Sequence, residues 1–66
     1  MLQSIIFDKQ LYSLREAKHW LLMHHYKPIK PVHSTTNFYR FRMSEPNPRN
    51  RYYTKHITDG IMFIFD

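Results

Sequence analysis

The sequence has no cysteine, a single glycine, five acidic residues and no apolar run longer than Ile61–Phe65. Each shortage removes a class of function. Without cysteine no disulfide can staple the chain and no thiolate can bind zinc. That composition fits a reducing compartment. One glycine, Gly60, rules out a glycine-rich phosphate loop. The acids Asp8, Glu16, Glu45, Asp59 and Asp66 each fall where a strand ends, a helix is capped or a loop turns, so no pair is set aside for acid–base chemistry. Among the histidines, His19, His24 and His25 are never four residues apart, and His33 and His56 lie in other segments. Metal ligands on one helix face want i, i+4 spacing or a convergent carboxylate, and neither is present. Ser13 is explained by capping, while Ser4, Ser34 and Ser44 have no nucleophile context. The expectation is a protein that is not an enzyme and carries no metal or cofactor. The apolar stretch near the N-terminus lacks a basic flank and is too short for a signal peptide or a membrane span, so the expected location is intracellular and not secreted.

Against these shortages stands an excess of aromatic rings and of positive charge. Sixty-six residues make one domain, 1–66, and a chain this short buries only about 60% of its unfolded surface. Its five Phe, five Tyr and one Trp compensate, since each ring buries roughly 150–250 Å² when enclosed. The core stays thin enough that a partner or self-association is expected to help. The formal charge is +5, and seven of the ten Lys/Arg residues lie within 27–58, where Glu45 is the only acid. A localised basic surface favours anionic partners such as nucleic acid, acidic protein patches or lipid headgroups.

Only Ser13–Tyr26, SLREAKHWLLMHHY, has a clear helical period. Ser13 occupies the N-cap position with Glu16 three residues on, the pairing of a capping box. At about 100° per residue, Leu14, Ala17, Trp20, Leu21 and His24 share one face. Pro28 disfavours helical geometry at Lys27, so the helix ends at or before Tyr26, with no glycine to close it and His24 and His25 in its last turn. The flanking segments read as strands. Leu2–Phe7 is the first. Lys27–His33, with Pro28 and Pro31, suits an extended edge. Phe38–Met43 alternates sharply, with Tyr39, Phe41 and Met43 on one side and Phe38, Arg40 and Arg42 on the other. Tyr52–Thr58 has high strand propensity, Asp59-Gly60 signals a two-residue hairpin, and Ile61–Phe65 reads as the most buried strand. The fold class is therefore α+β: one amphipathic helix on a small, mostly antiparallel sheet of four or five strands, ordered β-α-β-β-β(-β).

The chemically suggestive feature is FYRFRM beside RYYTKH. If these two strands pair as a hairpin, Arg40 and Arg42 project with Phe38. Lys55 or His56 then lies across the ladder, with Arg49 and Arg51 near the loop. Guanidinium groups interleaved with exposed rings suit phosphate contact plus base stacking. An outward strand face must be polar in any case, and arginine serves there as plain solvated surface. Leu22 and Met23 fall outside the apolar stripe of the helix, and exposed apolar residues there suit a protein contact, although scattered ones are ordinary.

Taken in order, Ile6-Phe7-Asp8-Lys9, Glu16-Ala17-Lys18 with Trp20-Leu21, His25-Tyr26-Lys27-Pro28-Ile29-Lys30, Tyr39-Arg40-Phe41-Arg42, Pro48, Tyr53-Thr54-Lys55 and Gly60-Ile61 span nearly the whole chain. This pattern resembles a short domain of uncharacterised function that recurs in proteins of large eukaryotic DNA viruses and some tailed bacteriophages. Proteins similar to this carry polar residues where Leu22 and Met23 stand and often end in glycine where this chain has Phe65-Asp66. The resemblance implies a viral or phage origin, and with it the host cytoplasm, nucleus or virion as location. It brings no enzymatic activity, cofactor or ligand. The leading expectation is a non-enzymatic viral interaction module meeting nucleic acid or a nucleoprotein through Arg40, Arg42, Arg51 and Lys55, with Phe38 or Tyr52 as a stacking platform. The alternative is a structural or adaptor protein, a small virion component or host-factor binder, acting through Leu22, Met23 and the apolar hairpin. A membrane-surface role ranks third, because the helix is not basic enough.

Overall fold

The computed structural model describes residues 1–66, which form in chain order β1 (Leu2–Asp8), α1 (Leu14–Met23), β2 (His33–Ser34), β3 (Phe38–Arg42), β4 (Tyr53–Thr58) and β5 (Ile61–Phe65). The helix begins where the capping box places it. The Glu16 N–H donates to the Ser13 hydroxyl at 3.1 Å, and the Ser13 N–H donates to the Glu16 carboxylate at 3.0 Å. Two of the orphan donors of the first turn are thereby satisfied.

The other end closes without glycine. His24 is the C-cap, and His25 takes the left-handed conformation with φ 63°. The His25 N–H then reaches the Leu22 carbonyl at 3.2 Å, and the Tyr26 N–H reaches the Leu21 carbonyl at 2.9 Å. Those two bonds define a Schellman motif, a role in which glycine is usual because it carries no Cβ. The His24 ring adds Nδ1 at 2.8 Å from the Trp20 carbonyl and stacks on the indole at 3.9 Å between centroids. His24, expected on the buried stripe, is thus an exposed capping residue.

The five strands form one antiparallel sheet in the order β2-β3-β1-β5-β4. β1 runs through the middle and is the most buried strand, with Gln3 through Phe7 all enclosed. This corrects the expectation for Ile61–Phe65, of which only Ile61 and Phe63 are buried. Both strands have two neighbours, but one neighbour of β5 is the wholly exposed edge strand β4. A second correction concerns the expected pairing of FYRFRM with RYYTKH. β1 and β5 lie between β3 and β4, because the proline-stiffened segment 43–52 is long enough to pass both and the most apolar strands take the centre. That segment is anchored as it crosses: the Met43 N–H donates to the Gln3 carbonyl at 2.8 Å and the Ser44 hydroxyl to the Leu2 carbonyl at 2.9 Å.

One face of the sheet carries the helix. Ile5, Phe7, Phe41, Ile61 and Phe63 meet Ala17 and Leu21 in a single core. Phe7 is its hub, edge-on to Tyr12, Trp20 and Phe41 at 5.4, 5.7 and 5.6 Å. Gly60 closes the β4–β5 turn with φ 83°, and a Cβ there would come within 2.8 Å of Leu11 Cδ1. The one glycine is required twice over, by conformation and by space. No helix is long and apolar enough to cross a membrane.

Candidate nucleic-acid interface

With a single helix, only one face of the sheet is covered, and the register fixes what the other presents. Across its middle run His33, Arg40, Ile6, Met62 and His56, one from each strand in spatial order. The next row is Arg42, Ser4, Ile64 and Thr54. Phe38 stands opposite Asp8 at the far end. The face is therefore basic on its β2–β3 side and apolar along β1 and β5. Ile6 is only 8% exposed even though no helix covers it. Its cross-strand neighbours on that face are Arg40 and Met62, whose long side chains can cover it.

Arg40 and Arg42 are half-buried, and neither guanidinium forms an ion pair or a hydrogen bond within the chain. The two lie between a pair of cavities. One, of about 260 Å³, is lined by Lys30, Pro31, His33, Arg40 and Arg42. The other, of about 400 Å³, is lined by Gln3, Arg40, Arg42, Tyr52, Thr54 and Ile64, with Pro46 of the crossing segment at its rim. No acid lines either one. The nearest is Glu45, whose carboxylate pairs with Lys30 at 3.4 Å in an exposed contact, which salt and side-chain entropy render weak.

Of the residues singled out from sequence, the structure brings Arg40, Arg42 and Tyr52 to one cavity. Phe38 shares their face but at the opposite end of β3, and Arg51 is exposed in the loop before Tyr52, outside both cavities. Lys55 is placed elsewhere. It stands opposite Phe63, whose ring faces the helix, so Lys55 belongs to the covered side of the sheet, and the expected cluster with Arg40 and Arg42 does not form. Of the two residues expected across the ladder, the register puts His56 on the Arg40 face and Lys55 on the other, and β1 and β5 separate His56 from Arg40. Sequence reasoning missed Gln3, Lys30 and His33. Lys30 and His33 come in because the segment after α1 lies against β3, with the Ile29 N–H bonded to the Arg42 carbonyl at 2.9 Å. Gln3 was visible only as a polar interruption in an apolar strand.

Leu22 and Met23 are 71% and 61% exposed, and they flank different grooves. Leu22 lines one beside Pro28 and Val32, and Met23 lines one beside Trp20 and His24. These grooves, of about 480 and 510 Å³, are larger than the sheet-face cavities, but they are the open flanks of a helix resting on a sheet. The one beside Met23 mixes Arg15 with Glu16, and the one beside Leu22 carries Lys18, Lys27 and Lys30. No three of the histidine and acidic side chains gather where they could share a metal ion. No family model, curated protein or solved structure matches this chain.

Proposed function

We propose that this chain is a non-enzymatic nucleic-acid-binding module that meets its ligand through the uncovered face of the sheet. The observation that supports this reading is the pair Arg40 and Arg42, half-buried, without a carboxylate partner, and joined by Lys30 and His33 around one cavity. A guanidinium that serves only as solvated surface extends into water or finds an acid, whereas two held side by side over an apolar strip suit a phosphodiester with a base lying beside it. The local charge agrees, since seven of ten basic residues lie in 27–58. The resemblance to a domain of large DNA viruses and tailed phages supports a viral setting for that function. Titration of the isotopically labelled protein with a single-stranded oligonucleotide tests the reading. Amide shifts are expected at His33, Arg40, Arg42, Tyr52, Thr54 and Ile64. Shifts confined to the helix, or none at all, would contradict it.

A second reading is an adaptor or structural protein. The exposure of two large apolar side chains at the end of α1, Leu22 and Met23, favours it.

A further inference from the structure

We infer that the cavity beside Gln3 receives one base of a single strand and selects bases with a carbonyl oxygen at purine C6 or pyrimidine C4, guanine, thymine and uracil, over those with an amino group there, adenine and cytosine. The inference rests on the nucleic-acid reading and adds a base preference to it.

Two adjoining cavities share Arg40 and Arg42. The one toward β2 offers Lys30 and His33, with Pro31 its one apolar side chain, which is phosphate chemistry. The other offers the Tyr52 ring, 48% exposed, and the aliphatic Ile64, which is base chemistry. A phosphate and its base are joined through one sugar, so neighbouring cavities separated by two guanidinium groups match a nucleotide. In a duplex the base faces are stacked and the pairing edge is occupied. A site that takes a ring face and an edge together needs an unpaired strand.

The edge is read by Gln3. This residue is 5% exposed, and the Ser4 hydroxyl donates to its Oε1 at 2.6 Å. That separation is typical of an O–H···O bond, with the hydroxyl as donor and the amide oxygen as acceptor. The carbonyl is thereby engaged, and the amide nitrogen donates to no group of the chain. Since no enclosed side-chain nitrogen lacks a partner, that NH₂ has access to solvent, and Gln3 lines the cavity. Arg40 and Arg42 are donors only, and the hydroxyls of Tyr52 and Thr54 can serve either way. No carboxylate is among the lining groups. The fixed donors, the Gln3 NH₂ and the two guanidinium groups, match guanine O6 and N7 or the two carbonyls of thymine and uracil. Against the amino group at C6 of adenine or C4 of cytosine they set donor facing donor.

Fluorescence anisotropy with alternating thymine–guanine and cytosine–adenine oligonucleotides of about twelve nucleotides, together with their ribose counterparts, decides the matter. Wild-type protein is expected to bind the thymine–guanine strand roughly tenfold more tightly, and Gln3→Met, which keeps the shape and removes one of the donors, is expected to shrink the difference. The ribose pair shows whether RNA or DNA is the preferred source of the same edge. Because Gln3 is enclosed, thermal unfolding of the variant is recorded alongside, and the wild-type ratio stands as a test without it. Equal wild-type affinities overturn the base preference while leaving nucleic-acid binding intact. Discrimination undiminished in a folded Gln3→Met overturns the part assigned to Gln3. Absence of binding to every strand overturns the underlying reading as well.

Discussion

Phe7 meets Trp20 edge to face, with ring centroids 5.7 Å apart and planes 74° apart. This contact joins the middle strand of the sheet to its only helix, and Phe7 makes two more like it with Tyr12 and Phe41. Phe7→Ala removes a fully enclosed ring and is expected to cost about 3–5 kcal/mol. A domain of this length has on the order of 3–10 kcal/mol in all. Chemical denaturation should therefore find the variant with a lowered midpoint and a large share of the wild-type stability lost, and a loss below about 1 kcal/mol would contradict the hub assignment.

His25 holds the left-handed position of the Schellman motif with φ 63° and an exposed side chain. Nothing it touches in the core is lost on truncation, so His25→Gly is expected to stabilise the fold. A gain of about 0.5–1 kcal/mol corresponds to a rise of roughly 2–8 °C in Tm. An unchanged or lower Tm would show that the cap is not strained.

Glu16 links stability to acidity. First the Ser13 backbone N–H and then the Ser13 hydroxyl hold its carboxyl below the ordinary value of 4.5. A carboxyl whose pKa is depressed by folding contributes stability above its unfolded value, and that contribution disappears as pH falls through the folded value. Thermal melts of wild type and Glu16→Gln are expected to differ near pH 7 and to converge as pH falls through the lowered folded value. A difference that stays constant across that range would contradict the linkage.

Leu22 and Met23 carry the adaptor reading. Leu22→Glu and Met23→Glu leave the enclosed core untouched, so the fold is expected to tolerate each within about 0.5 kcal/mol. Under the adaptor reading, light scattering of the wild type shows an oligomer that either substitution dissolves. Under the nucleic-acid reading both variants retain wild-type affinity for a single strand.

The helix was legible because three independent signals coincide at Ser13–Met23: the capping box, the 3.6-residue stripe and the proline beyond. Alternation in Phe38–Arg42 assigned Phe41 to the core and Arg40 and Arg42 to the other side, and the Asp59-Gly60 turn was equally plain. Strand order was not legible. Local pattern shows which residues share a face of their own strand, but pairing between distant segments depends on which strands bury most area together. The placement of β1 and β5 between β3 and β4 therefore could not be read, and the choice between Lys55 and His56 for the Arg40 face stayed open until the register gave it to His56. Gln3 escaped notice for the same reason, since its meaning depends on Arg40 and Tyr52 arriving from two other segments. His25 was hidden differently: a non-glycine residue with positive φ leaves no compositional mark.

The salt dependence of single-strand affinity tests the central claim most directly. Phosphate contacts release counterions, and the logarithm of the binding constant falls with the logarithm of salt by about 0.7 per contact on a single strand. Arg40, Arg42 and their basic neighbours Lys30 and His33 lead to an expected slope of about −2 to −3, and Arg40→Ala with Arg42→Ala should flatten it by about 1.4 while weakening binding. Binding undetectable at about 50 mM salt, or a slope the double substitution leaves unchanged, would contradict the assignment of this face.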